Sequence, residues 1–296
     1  MDLSVIVLSY NTKEITDECL RRLKASGDRL QKSGQKVQVI VLDNASSDGS
    51  AEEIAKNHPW VELIESKENT GYSKGNNIAF KKAKYPSVIF LNSDVYVEND
   101  TLQKAAEYFV NHNCDILGIK LTFENGAFQP SAGYLPTPLN TILWILGIGQ
   151  MFNPFHPKSK TFFSKEKEVG WVMGAFFMIK KNVFEKLGGF DEGIFMYMDE
   201  VDLCKRAGMK GFKVCFTPLV EVTHLHRASS KDNPERVFTS EIKGMKVYFQ
   251  KYYATTYPLV KIFLIIGLIL RILAFSIIGK TARARAYMDG LKMIND

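Results

Sequence analysis

The sequence predicts an α/β fold, a mostly parallel sheet with helices on its faces, extended at the C-terminus by an apolar and amphipathic helix. Three observations predict it. Four strand-then-helix units follow one another in the first part of the chain, a pattern that makes a parallel sheet with right-handed crossovers. The conspicuous polar residues of that part fall directly after the strands, where such sheets bind ligands. Beyond the regular part, residues 258–279 form one apolar run.

The first strand is "LSVIVLSY" (3–10), and the helix after it carries Ile15, Cys19, Leu20 and Leu23 at helical spacing, with Asn11 and Glu14 placed as a capping box. "VQVIVLDN" (37–44) is the second strand, and Ser50 with Glu53 predicts the start of the second helix. "VELIES" is the third, followed by the Gly- and Asn-rich "NTGYSKGNN" turning into a helix. "SVIFLNSDVYV" (87–97) is the fourth, apolar for five residues before Asn92, Ser93 and Asp94, and Asp100 with Gln103 predicts a cap on the next helix. Asp94 at a strand end is either a turn residue satisfying backbone amides or an acid facing a ligand. Tyr10, Asn11, Asp43, Asn44, Asn69 to Asn77, Asn92 and Asp94 thus collect on one sheet edge.

Residues 121–168 are less regular, with five prolines around the apolar "LNTILWILGIG", and read either as a mobile loop or as an acceptor-facing surface. "VGWVMGAFFMIKK" reads as one strand with Gly174 inside it, followed by a short helix ended by Gly188-Gly189. In the next helix Asp199, Asp202 and Arg206 share a face, Asp202 and Arg206 forming an i,i+4 pair, while Glu200 is turned away by about a hundred degrees. "VTHLHRASS" (222–230) gathers two histidines and an arginine in a loop. In the terminal apolar run Lys261 and Arg271 disfavour spanning a bilayer and favour lying at its interface, beside the basic "KTARARAY". Packing on the protein's own core, or sealing a homodimer, are the other readings.

The 296 residues carry a net charge of +6, too small a surplus for a dedicated nucleic-acid binder. Four dispersed cysteines without a C-x-x-C pair indicate neither zinc nor a disulfide framework. The N-terminus enters a strand without the features of a signal peptide, so the expected location is cytoplasmic, peripheral at the inner face of the cell membrane. No G-x-G-x-x-G follows strand one and no P-loop is present, so a different nucleotide pocket is required. A buried Asp43 would accept a pyrimidine imide N–H, and Asp94 would ligate a hard divalent cation, Mg2+ or Mn2+, that also holds a diphosphate.

"SVIVLSYN", "VIVLDNASSDGS", "NTGYSKGNN", "FLNSDVYV", "GAFFMIKK", "GGFDEGIFMYMDEVDLCKR" and "VTHLHRAS" occur in an order that resembles the inverting nucleotide-sugar glycosyltransferases of family 2, in their rhamnosyltransferase-like branch. The resemblance covers about residues 3–230. It implies a GT-A fold, Rossmann-like, and a donor that is a dTDP- or UDP-sugar, best L-rhamnose on dTDP, with a saccharide or polyprenyl-linked acceptor in bacterial cell-surface polysaccharide synthesis. It implies that Ser9, Tyr10, Asn11, Asp43, Asn44, Gly71, Lys74, Asn77 and Arg227 lie on the donor. Asn92-Ser93-Asp94 takes the place of the family's D-x-D, with Asp94 and His224 on the metal and diphosphate. Asn at the first acidic position departs from the full motif and weakens a metal site.

The family's acidic pair falls on Asp199-Glu200, with Glu200 the first choice of general base and Asp199 the second; Asp is commoner than Glu at that position. Trp171, Gly174 and Ala175 fall where the family binds acceptor, Trp171 being alternatively a core residue. Residues 1–240 form the catalytic domain (1–115 nucleotide-binding, 116–240 acceptor and catalytic), and 241–296 a membrane-associating extension. A catalytically silent nucleotide-sugar-binding or scaffold subunit of the same fold is the alternative, favoured by Asn92 and Glu200.

Overall fold

The computed structural model describes residues 1–146, 157–225 and 234–295. In chain order the elements are β1 (Leu3–Ser9), α1 (Lys13–Lys32), β2 (Val37–Asp43), α2 (Ser50–Asn57), β3 (Glu62–Glu65), α3 (Gly71–Phe80), β4 (Ser87–Asn92), β5 (Val95–Tyr96) and α4 (Thr101–Asn111). Then follow β6 (Ile116–Thr122), β7 (Phe128–Gln129), β8 (Ala132–Gly133), α5 (Pro138–Ile145), β9 (Lys167–Glu168), β10 (Trp171–Val172), β11 (Phe176–Lys180), α6 (Lys181–Leu187) and α7 (Asp199–Met209). The chain closes with β12 (Val214–His224), α8 (Pro234–Tyr252), α9 (Tyr257–Ile277) and α10 (Thr281–Asn295).

The main sheet runs β3-β2-β1-β4-β11-β6-β12-β5. The first four strands of that order are parallel, β11 is antiparallel to both neighbours, and β12 is parallel to β6. Alternation explains burial on both faces. Leu3, Val5 and Val7 pack with Cys19, Leu20 and Leu23 of α1 on one side, while Ile6, Ile40 and Phe90 pack with Phe184, Tyr248 and Phe249 on the other.

Of the three expected helix starts, two fall where the sequence places them and one does not. Asp100 is the N-cap residue of α4, without a side-chain cap hydrogen bond, whereas Asn11 with Glu14 forms no cap: α1 begins after Thr12, whose side chain does not cap it. Asn11 instead adopts a left-handed φ of 51° and its side-chain oxygen accepts from the Ser47 amide, so it is spent on joining two loops. Ser50 is the first residue of α2, as expected, and Asp48 Oδ1 accepts from both the Ser50 amide and its hydroxyl. Acidic Asp100 pairs with Lys104 one turn on.

The single strand expected over 169–181 is two, β10 and β11, interrupted at Met173–Ala175. The predicted loop at 222–230 starts later, because β12 continues to His224. The irregular stretch before it holds β7, β8, α5 and β9. Residue 240, the expected domain boundary, lies inside α8, whose Tyr248 and Phe249 are buried in the same core as the sheet.

Candidate active site

β-strand register brings the polar strand ends into line. Ser9 is the partner of Asp43 across β1 and β2, and Leu8 is the partner of Asn92 across β1 and β4. A chain of hydroxyls runs beneath them: Ser9 to Thr16 at 3.1 Å, Thr16 to Thr12 at 2.9 Å and Thr12 to Ser93 at 3.1 Å. Tyr10 and Asn11 continue from β1 above this line.

Asp43 is buried, and its Oδ1 accepts from the Ser46 amide at 2.9 Å. Its Oδ2 has no hydrogen-bond partner among the described residues. A buried carboxylate oxygen left unpaired is costly, so a donor supplied by a ligand is the natural completion. Ala45, two residues on, holds a left-handed φ of 64°, a conformation non-glycine residues adopt mainly at sites that need it.

Asn44 and Asn77 have their amides occupied by the protein. Asn44 donates to Asn69 and the Gly71 carbonyl and accepts from the Thr70 amide and hydroxyl, which pins the turn entering α3. Asn77 donates to the Phe190 carbonyl and accepts from the Phe190 amide, holding the segment that leads to α7. At Gly71, with φ 78°, a Cβ would sit 2.4 Å from the Phe195 carbonyl oxygen, so the close approach there is to Phe195. Asn44→Ala is therefore expected to cost roughly 1–3 kcal/mol of stability, read as a fall in the urea midpoint at unchanged slope. Lys74 stands on the solvent side of α3, 3.7 Å from Glu68.

Asp94 and His224, distant in sequence, are brought together by the short antiparallel pairing of β5 with β12, in which His224 is opposite Val95. His224 Nε2 lies 3.3 Å from Asp94 Oδ1, and its Nδ1 is 3.1 Å from Gln129 Oε1 on β7. Nδ1–H donating to Gln129 fixes the ring with Nε2 facing the Asp94 carboxylate. No group of three or more His, Cys, Asp or Glu able to hold a metal occurs among the described residues. One carboxylate and one imidazole, both buried, suit a cation that takes its other ligands from diphosphate and water, not a closed protein cage. Arg227 lies outside the described residues.

The acidic pair opens α7. Before it, Tyr197 and Met198 both have φ 66°, two successive left-handed residues. Gly244 of α8 packs there so tightly that a Cβ would be 2.5 Å from the Tyr197 carbonyl oxygen. Asp199 is buried, and burial first, then the neighbouring charge of Glu200, pushes its carboxyl well above the usual range. Burial also raises Glu200, while a hydrogen bond with Asp199 and the amide of Gly174 pull it back. Two carboxyls in one desolvated place titrate as a pair, the one kept protonated and the other able to accept a proton.

Gly174 links this pair to the rest of the site. Its carbonyl accepts from the Tyr72 hydroxyl at 2.9 Å, and a Cβ on it would be 2.8 Å from that oxygen. The next carbonyl, of Ala175, accepts from the Asn92 amide at 3.0 Å. Tyr72 is deprotonated with difficulty, because of burial and then the Asp199 and Glu200 charges, so its hydroxyl stays a donor. Trp171 is buried in the core, in β10. Tyr72, Thr12, Thr16 and Gln129 were not among the residues the sequence singled out; Tyr72 lies inside "NTGYSKGNN", but nothing in the sequence marks Gln129.

Residues 4–188 match the family described as glycosyl transferase family 2. The chain belongs to that family. The N-acetylglucosaminyl-diphospho-decaprenol L-rhamnosyltransferase of Mycobacterium tuberculosis is 27% identical to it over 250 residues, 77% of each chain. Rhamnosyltransferase WbbL of Escherichia coli is 23% identical over 257 residues, 83% of this chain and 92% of its own.

Among solved structures, a mannosyltransferase of Pyrobaculum calidifontis in complex with GDP-Man and Mn2+ is similar with a TM-score of 0.58 at 17% identity, covering 99% of this chain and 84% of that one. TarS of S. aureus in complex with UDP-GlcNAc gives 0.54 at 18% identity, covering 100% and 91%. This family 2 glycosyltransferase therefore has the GT-A fold, as its motifs implied. It is an enzyme of the glycosyltransferase class.

Proposed function

We propose that this glycosyltransferase moves L-rhamnose from dTDP-rhamnose, with inversion, onto a saccharide or polyprenyl-linked acceptor in bacterial cell-surface polysaccharide synthesis. The observation that carries the donor reading is the buried Oδ2 of Asp43, without a partner among the described residues and aligned by strand register with Ser9 and with β4, which leads into Asn92-Ser93-Asp94. The sugar and acceptor class rest on the two rhamnosyltransferases among the relatives.

Asp43 accepts the imide N–H of the pyrimidine, which satisfies the orphaned oxygen. Asp94 and His224 hold the divalent cation, Mg2+ or Mn2+, on the diphosphate side. When bound, that cation neutralises charge growing on the departing diphosphate. Glu200 takes the acceptor hydroxyl's proton as that oxygen attacks the anomeric carbon from the face opposite the diphosphate, and Asp199, protonated, donates a hydrogen bond to it. Gly174 and Ala175 stand at the acceptor side. Tyr72 and the Gly174 peptide fix the distance between base and donor.

The test is a thermal-shift panel of dTDP, UDP, GDP and CDP with Mn2+, Mg2+ or EDTA, followed by turnover with the sugar of the nucleotide that binds. A pyrimidine nucleotide at a hundred times its Kd should stabilise by about 2.7 kcal/mol. Asp94→Ala should abolish the metal-dependent part of that shift and leave the metal-independent part. No shift with any nucleotide would overturn the assignment of Asp43 and Asp94. Nucleotide binding without turnover on any sugar of that nucleotide would instead favour the catalytically silent subunit.

A further inference from the structure

We propose that α9, flanked by α5, is a seat on an anionic lipid bilayer, with α9 lying in the plane of the leaflet rather than crossing it. By length and composition α9 could cross a membrane. Its two faces argue otherwise. Ile262, Ile266, Ile269, Leu270, Leu273 and Ile277 are exposed and recur at spacings of three and four, so they form one stripe along the helix. Val260, Leu264 and Leu268, on the other face, are buried in the core that also holds Phe90 and Phe184.

α5 is packed against that inner face. A Cβ on Gly267 would lie 2.4 Å from Cγ2 of Ile145, so the two helices are in close contact there. Crossing a bilayer would pull α9 away from Ile145 and strip the core residues it covers. Lying flat leaves that packing intact and buries only the stripe already facing outward. α5 and the residue that ends it add Leu139, Leu143 and Leu146, exposed at spacings of four and three. Apolar surface of this extent on a single chain marks a partner or a membrane.

Charge selects between them. Residues 242–288 contain eight Lys and Arg and no Asp or Glu, whereas the whole chain has a net charge of only +6, so everything outside this segment is net negative. Lys280, Arg283 and Arg285 are exposed just beyond the end of α9. The Arg271 guanidinium donates to the Gly267 carbonyl at 2.9 Å, which keeps it off the apolar stripe. Apolar side chains set into the acyl boundary with basic groups at the head groups is the pattern of an interfacial helix. A second copy seated on this segment would bring no Asp or Glu to Lys280, Arg283 and Arg285 from residues 242–288.

The experiment is sedimentation of the full chain with vesicles of phosphatidylcholine alone and of phosphatidylcholine with phosphatidylglycerol. Partition is expected to be at least about tenfold higher on the anionic vesicles, to fall with salt, and to be reversed by an alkaline carbonate wash. Leu270→Glu with Leu273→Glu, and separately Leu139→Glu with Leu143→Glu, should each lower it about tenfold while Tm and nucleotide binding stay unchanged. Retention after carbonate would overturn the in-plane seat in favour of spanning. Absence from both vesicle pellets, with a dimer in solution that Leu270→Glu makes monomeric, would assign the stripe to a second copy. An unaffected α5 variant would remove α5 from the seat. None of these readouts depends on which sugar is transferred.

Discussion

Glu200→Gln is expected to lower kcat by about a hundred- to ten-thousand-fold while the nucleotide-induced thermal shift is retained. The amide keeps the shape and the hydrogen-bonding reach of the side chain but cannot take a proton. Equal activity of the variant would remove Glu200 as the base and pass the role to Asp199. Burial holds both carboxyls above the usual range, Asp199 further so through the charge of Glu200, so the active form of the pair is gained at a higher pH than a free carboxyl would require. In the wild type the rate should therefore rise with pH through the pair's apparent pKa, and this limb should be missing from the residual activity of Glu200→Gln.

The same shift has a stability side. A carboxyl whose folded pKa is raised contributes stability that is fully present below its unfolded value of about 3.8 and lost as pH rises through the folded value. Asp199→Asn removes that loss. The variant should melt higher than wild type at pH 8 and no higher at pH 4, provided the Asn keeps the hydrogen bond to Glu200.

Asp202→Ala is expected to cost about 3–5 kcal/mol, the range for removing one partner of a buried ion pair. Asp202 is fully buried; its Oδ2 accepts from Arg206 at 2.7 Å, and its Oδ1 accepts from Lys251 at 2.8 Å and from the Tyr252 hydroxyl at 2.7 Å. Lys251 also reaches Asp191 at 2.6 Å, so one ammonium ties α8 both to α7 and to the segment before it. The loss would appear as a fall in the urea midpoint. Tyr252→Phe removes a single hydrogen bond and should cost only about 1 kcal/mol. If Asp202→Ala were as mild, the network would not be what fixes α7 against α8.

The four β-α units were legible because each is local: β1, β2 and β4 announce themselves as apolar runs, β3 by the short Leu63-Ile64 pair, and the residues after them fall where a parallel sheet displays them. Asp199, Asp202 and Arg206 could be placed on one face because a helix repeats within the sequence itself. The insertion of β11 between β4 and β6, antiparallel to both, was not legible, since strand order depends on pairings between distant segments. The neighbours of His224 were hidden for the same reason: Gln129 reaches it only because β7 and β12 share β6. Asn11 misled because a residue suited to capping a helix is equally suited to joining two loops, and here the Ser47 amide won. Asn44 and Asn77 sit at the correct edge, yet their amides are engaged by protein groups, a distinction that needs hydrogen-bond partners as well as position.

The brace that Gly244 provides behind Tyr197 and Met198 has a consequence for how the enzyme is made. Synthesis proceeds from the N-terminus, and β1 to β4, with the sheet edge that bears Asp43 and Asp94, is complete long before α8 leaves the ribosome. The segment carrying Asp199 and Glu200 is translated some forty residues ahead of the helix that holds its two left-handed residues in place. A nascent or truncated chain ending before Gly244 would have its acid pair without a backstop and one face of the sheet without Tyr248 and Phe249, so the ability to transfer a sugar would be acquired only as α8 arrives.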